Sequence, residues 1–116
     1  MIKAYVITIR ALPKSVRSAS RCIMSAADYD LEGVEMWQAT IPEDNPEEIL
    51  NDRGIPTKGF SEIYSRPERC MSAFVSHYKL WEKCAEENDD VYLIFEHDAV
   101  VENQIPVIPK MHSLKD

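Results

Sequence analysis

The sequence predicts a single α/β domain, because apolar runs of strand length alternate along it with segments of helical periodicity and nothing divides them. Ala4-Tyr5-Val6-Ile7-Thr8-Ile9 and Val91-Tyr92-Leu93-Ile94-Phe95 are the strand-like runs, rich in β-branched and aromatic residues. No repeat, low-complexity tract or Gly/Ser-rich linker appears, and 116 residues with 45% hydrophobic and 28% charged positions suit one core. A chain of that length buries roughly two thirds of the surface its unfolded form exposes, so neither disulfides nor a structural metal is required. The length argues against a large multidomain enzyme.

The elements follow in order. The first strand spans 4–9, and Pro13 marks the turn before a helix over 15–27, where Val16, Ala19, Ile23 and Ala26 recur at helical spacing. Arg17 and Arg21 fall on another face of that helix, towards solvent or a ligand cleft. A second strand is expected over 33–37, then a loop at Pro42 and Pro46 and a short acidic helix over 46–51. Two glycines and two prolines between 53 and 67 predict a long functional or mobile loop. From 67 to 87 the spacing predicts an amphipathic helix burying Cys70, Phe74, His77, Trp81, Cys84 and Ala85 and turning Glu68, Lys79, Glu82, Lys83 and Glu86 elsewhere. Asn88-Asp89-Asp90 ends it, and the buried strand over 91–95 terminates at Glu96-His97-Asp98. In open α/β sheets ligands bind outside the carboxyl ends of the strands, which gives this acidic terminus its interest.

Charge narrows the partners. Thirteen Lys and Arg against twenty Asp and Glu leave a formal net charge of -7, so nucleic acid is not an expected partner. The N-terminus carries no signal-peptide pattern, and no apolar run approaches the ~20 residues of a membrane span. Cys22, Cys70 and Cys84 are odd in number, widely spaced and without a CxxC or Cys/His ligand pattern, which suits free thiols in a reducing compartment. A cytoplasmic protein is expected.

Several residues invite chemistry. On an extended backbone Glu96 and Asp98 point the same way and His97 the other, so two hard carboxylate ligands converge where Mg²⁺ or Mn²⁺ could sit against a diphosphate; a solvated acidic turn is the alternative. His77, on the apolar side of its helix, is either a hydrogen-bonded core histidine or a ligand-site residue. Arg10 and Arg17 flank the first strand's end and the next helix's start, where phosphates meet amides and guanidinium groups, with plain surface placement as the alternative. Cys70 and Cys84 are read as packing residues and Trp81 as core, while Trp37 is left open. GxSxG, GxxxxGK[ST] and GxGxxG signatures are absent.

The ordered set Phe74-Val75-Ser76-His77-Tyr78-Lys79-Leu80-Trp81, followed by Leu93-Ile94-Phe95-Glu96-His97-Asp98-Ala99, resembles glycosyltransferase family 25, the lipopolysaccharide and lipooligosaccharide galactosyltransferase type. That family shows a Ser-His-x-x-x-Trp helix and then a Leu-Glu-Asp-Asp-Ala strand end. Tyr5-Val6-Ile7-Thr8-Ile9 with Arg17 also resembles its Val-Ile-Asn-Leu start and later arginine. The resemblance implies a Rossmann-like GT-A type nucleotide-diphospho-sugar-binding fold, shortened, with Glu96 and Asp98 matching the first and third positions of the acidic metal motif. Ser76, His77 and Arg17 match motif positions that would line the nucleotide-sugar site. Thr8, Gln38 and His97, standing where the family carries asparagine, an acidic residue and aspartate, join Arg10 in the same candidate set.

Members of that family continue well beyond the acidic motif, into a part that supplies acceptor contacts and a catalytic base. Residues 100–116, with Pro106 and Pro109, leave no room for another βα layer, so the chain as a whole resembles the donor-binding half, and no base is named. The expected function is a glycosyltransferase-like protein of lipopolysaccharide biosynthesis that binds a nucleotide sugar, a UDP-hexose, with Mn²⁺ or Mg²⁺, for transfer to a glycan hydroxyl. The alternative is a noncatalytic binding or interaction module that keeps the fold and self-associates into a homo-oligomer through the face the missing half would cover. A phosphoacceptor receiver is disfavoured, because the first strand ends Thr8-Ile9-Arg10 without the acidic ligands a receiver's metal needs.

Overall fold

A computed structural model describes residues 2–87 and 91–103. Within them β1 (Ile2–Thr8) leads into α1 (Pro13–Asp28), β2 (Glu35–Gln38), a short 3-10 turn (Pro42–Asp44), α2 (Pro46–Asp52), α3 (Lys58–Ile63), α4 (Pro67–Glu86) and β3 (Val91–Glu96). The strands form a parallel sheet in the order β2-β1-β3, with Val6 facing Met36 on one side and Phe95 on the other. Parallel neighbours require crossover connections; α1 supplies the first and the segment carrying α2 to α4 the second. Proline opens α1, α2 and α4, where its fixed φ suits a helix start and its missing N–H would be unpaired anyway.

Alternation along β1 sends Ala4 and Val6 to the face covered by α1, where Ala19, Cys22 and Ala26 close the core together with Val34 and Val101. Small residues on α1 let the helix lie close to the sheet, and burial pushes the Cys22 thiol pKa up, leaving it a packing group. On the opposite side α2 and α3 pack on α4 through Leu50, Met71 and Val75, flanked by Phe60 and Phe74. Part of the stretch expected to be one long loop is therefore α3, whose Phe60 meets Phe74 edge-on at 5.9 Å. Six residues are too few for a periodic signal to separate helix from loop.

The buried stripe of α4 also departs from expectation. Met71, Ser72, Val75, Ser76 and Leu80 face inward, on roughly the opposite side of the helix from the expected stripe, and Trp81 stands 48% exposed. Hydroxyls cause the difference: Ser72 and Ser76 donate to the carbonyls of Glu68 and Ser72, both at 2.8 Å, so small polar side chains are buried without an unpaired group. Cys70 and Cys84 are only half-buried. The helix stop expected at Asn88-Asp89-Asp90, like the break at Pro106 and Pro109, lies outside the described residues.

At the amino end of the sheet Glu87 gathers α4, β1 and β3. Its carboxylate accepts from Lys3 Nζ and from the Tyr92 hydroxyl, each at 2.6 Å, and pairs with Lys83. Burial first, and then the hydrogen bond to Glu87, push the Tyr92 pKa up from 10 to about 12. A raised folded pKa means that the native state holds the phenolic proton more tightly than the unfolded chain. The contribution of Tyr92 is full below pH 10 and is lost as pH rises towards 12. The stability difference between the wild type and Tyr92→Phe is therefore expected to shrink across that interval; paired chemical denaturations at pH 9 and at about pH 11.5 check it.

Candidate functional site

The order β2-β1-β3 reverses the chain's direction of travel at β1, which opens a crevice beyond the carboxyl ends of β1 and β3. A cleft of about 730 Å³ occupies it, walled by Ile7 and Ile9, the turn at Ala11 and Leu12 ahead of α1, the Ala39-Thr40-Ile41 segment after β2, the first turns of α4, and Glu96-His97-Asp98.

Two serines build the walls. Ser76, almost wholly buried, accepts the Thr40 N–H at 2.9 Å while donating to the Ser72 carbonyl, which fixes the segment after β2 against α4. Replacing Ser76 with alanine leaves the buried Thr40 N–H unpaired and is expected to cost about 1–3 kcal/mol, read as a lower urea midpoint at unchanged slope. Ser15, in the first turn of α1, accepts the Ile9 N–H at 2.9 Å and lies 2.7 Å from His97 Nδ1. Its one hydroxyl ties the end of β1, the start of α1 and the end of β3.

The acidic tripeptide is a turn rather than a strand extension. β3 stops at Glu96, and the Ala99 N–H donates to the Glu96 carbonyl at 3.0 Å, so the side-chain alternation expected through Asp98 is interrupted. Glu96, His97 and Asp98 all line the cleft, and the His97 ring is engaged through Nδ1 with Ser15 of α1. Both carboxylates are exposed, and among the described residues neither enters a salt bridge.

Of the other candidates, Ser76 and His77 line the cleft, and Thr8, Arg10, Arg17 and Gln38 do not. Thr8 is buried with its hydroxyl donating to the Val6 carbonyl at 3.0 Å. Arg10 donates from Nη2 to the Met36 carbonyl at 3.2 Å, and the Gln38 amide turns to the Ala39 carbonyl at 3.4 Å. Arg17 stands exposed on α1, so the four-residue spacing with Arg21 marks a solvated face.

Arg69 and Glu43 line the cleft without having been expected there. Arg69 was legible: it precedes Ala73 by four residues and Ser76 by seven, which places it on their side of α4. Glu43 sits in the 3-10 turn, for which periodicity gives no signal. With Glu43, Glu96 and Asp98 against Arg69, the cleft is acidic.

Among the described residues no three His, Cys, Asp or Glu side chains form a metal-holding group. Glu96 and Asp98 each carry a carboxylate, the hard oxygen donor that Mg²⁺ and Mn²⁺ take, and are residues at the cleft that could hold such an ion. No described helix is long and apolar enough to cross a membrane.

The pattern of one family, described as glycosyltransferase family 25 (LPS biosynthesis protein), matches residues 35–114, from the start of β2 onward. The match takes in the candidate residues on α4 and β3 and leaves out β1 and α1, where Thr8, Arg10 and Arg17 lie. Comparison with curated proteins and with solved structures gave no match.

Proposed function

Because this chain belongs to glycosyltransferase family 25, we propose that it binds a nucleotide sugar, a UDP-hexose, in the cleft at the carboxyl end of its sheet, as a donor for transfer to a glycan hydroxyl. The observation that carries the reading is the pair Glu96 and Asp98 at the end of β3, lining a cleft at the strand-order reversal where α/β sheets take nucleotides. In this reading the whole chain is one GT-A type donor-binding unit.

The electrostatics support a divalent cation. Three carboxylates against one guanidinium repel a diphosphate, so an anionic donor enters with a cation that Glu96 and Asp98 hold. When bound, that ion supplies neutralisation of the charge developing on the diphosphate leaving group. Arg69 adds a fixed positive charge on the α4 wall. Ala11 and Leu12 bring the start of α1 to the cleft, where first-turn amides favour anionic oxygens. Ser15 and Ser76 keep these walls in register and are spent on that task.

Calorimetric titration of the full chain with UDP and UDP-hexoses tests this, with Mn²⁺, with Mg²⁺ and with a chelator. Binding that appears with metal and vanishes on chelation is expected. Absence of binding in every condition would remove the donor reading and favour the noncatalytic module.

A further inference from the structure

Beside the cleft, α3 and α4 enclose a second concavity of about 360 Å³ whose walls are aromatic. Phe60 and Tyr64 form one side and Phe74 and Trp81 the other, with Cys70 also in the lining and Ala73 and His77 at the end nearest the cleft. The rings brace one another: Phe74 meets Trp81 edge-on at 5.9 Å, and His77 lies 6.2 Å from Trp81. Ala73 and His77 line both concavities, so the groove continues the cleft and His77 stands at their junction. Its Nδ1 is 3.0 Å from the Ala73 carbonyl oxygen. A carbonyl only accepts, so Nδ1 is the donor in this contact, which leaves Nε2 as the ring nitrogen for a ligand hydroxyl.

We propose that this groove is the acceptor-sugar subsite: a pyranose ring of the glycan stacks against Trp81 and Tyr64 and directs a hydroxyl to Nε2 of His77, at the edge of the cleft. The proposal rests on the reading of the cleft as the donor site.

Four features select a sugar as occupant. No charged side chain lines the groove, so a neutral ligand fits it and an ionic one does not. Its surfaces are flat rings with polar tips, the Tyr64 hydroxyl, the Trp81 indole N–H and the imidazole, which match a ring with apolar faces and hydroxylated edges. Trp81 and Tyr64 are each 48% exposed and so present their rings to a ligand. The groove is at the small end of the range for ligand pockets, of order 300 Å³, which suits one ring with the remaining glycan in solvent.

The test is saturation-transfer NMR on the full chain with galactose, glucose, N-acetylglucosamine and lactose as probes, repeated on Trp81→Ala and Trp81→Phe. At least one saccharide is expected to receive saturation, its affinity falling roughly tenfold in Trp81→Ala and recovering in part in Trp81→Phe. Circular dichroism establishes that the alanine variant is folded. Transfer to none of the probes, or equal transfer with and without Trp81, overturns the proposal. So does a dimer, seen by sedimentation, whose formation protects Trp81 from fluorescence quenching, since a second copy then fills the groove. Donor calorimetry on the same samples separates the two readings. Donor binding in the wild type with saccharide transfer to none of the probes removes the groove reading alone; absence of donor binding in the wild type beside Trp81-dependent saccharide binding removes the donor reading and leaves the sugar site.

Discussion

Asp98→Ala is expected to eliminate the metal-dependent part of donor affinity while the thermal unfolding curve stays where it was. Loss of groups that merely orient a metal's ligands weakens binding by about 10–100-fold, so removing a direct ligand from a two-carboxylate set belongs at or beyond the upper end. Asp98 is exposed, which is why the fold should not register the change. Glu43→Ala is the informative companion. It removes a negative charge from the same cleft without touching the proposed ligand pair, so donor affinity should hold or rise. If affinity in Mn²⁺ is the same for Asp98→Ala and the wild type, the ligand assignment is wrong; if both variants gain affinity, the carboxylates act only by repulsion.

The largest effect on stability is expected at Leu50. Its side chain is fully buried against Met71 and Val75, where α2 supports α4. Leu50→Ala removes apolar contact and leaves a cavity, for a loss of about 2–5 kcal/mol in urea denaturation. That is a large fraction of the stability of a small domain, so the variant should be partly unfolded at 37 °C or nearly so. Ile63, 75% exposed at the end of α3, is the control: Ile63→Ala should stay within about 0.5 kcal/mol of the wild type. A mild result at Leu50 would mean that α2 rearranges to fill the gap.

The strands and the two long helices were legible because each repeats its signal. Val91-Tyr92-Leu93-Ile94-Phe95 is a continuous apolar run, and α1 has Ala19, Cys22 and Ala26 at helical spacing, all of them buried. The inward face of α4 was not legible, because hydropathy ranks Phe74 and Trp81 above Ser72 and Ser76. The serines are buried by hydrogen bonds that no hydropathy pattern encodes. At the site, the identity of Glu96 and Asp98 was readable from their place after a strand, but their geometry was not, since the turn closed by Ala99 N–H and Glu96 C=O leaves no compositional mark. Arg10 and Arg17 show the converse. A guanidinium near a strand end reads as a phosphate ligand, and whether it meets the cleft depends on side-chain directions fixed only by the folded chain.

The position of β1 bears on how the chain reaches its native state. Of the three described strands β1 is made before the other two and is also the middle one of the sheet, with Ile2 paired to Val91, 89 residues later. During synthesis β1, α1 and β2 can associate early, yet one flank of β1 keeps its amides and carbonyls open until β3 leaves the ribosome. Closing that sheet requires contacts of high sequence separation, which slows folding. The nascent chain therefore passes through an interval in which an apolar strand edge lies bare, the window in which chaperone capture, or pairing between neighbouring chains, decides its yield.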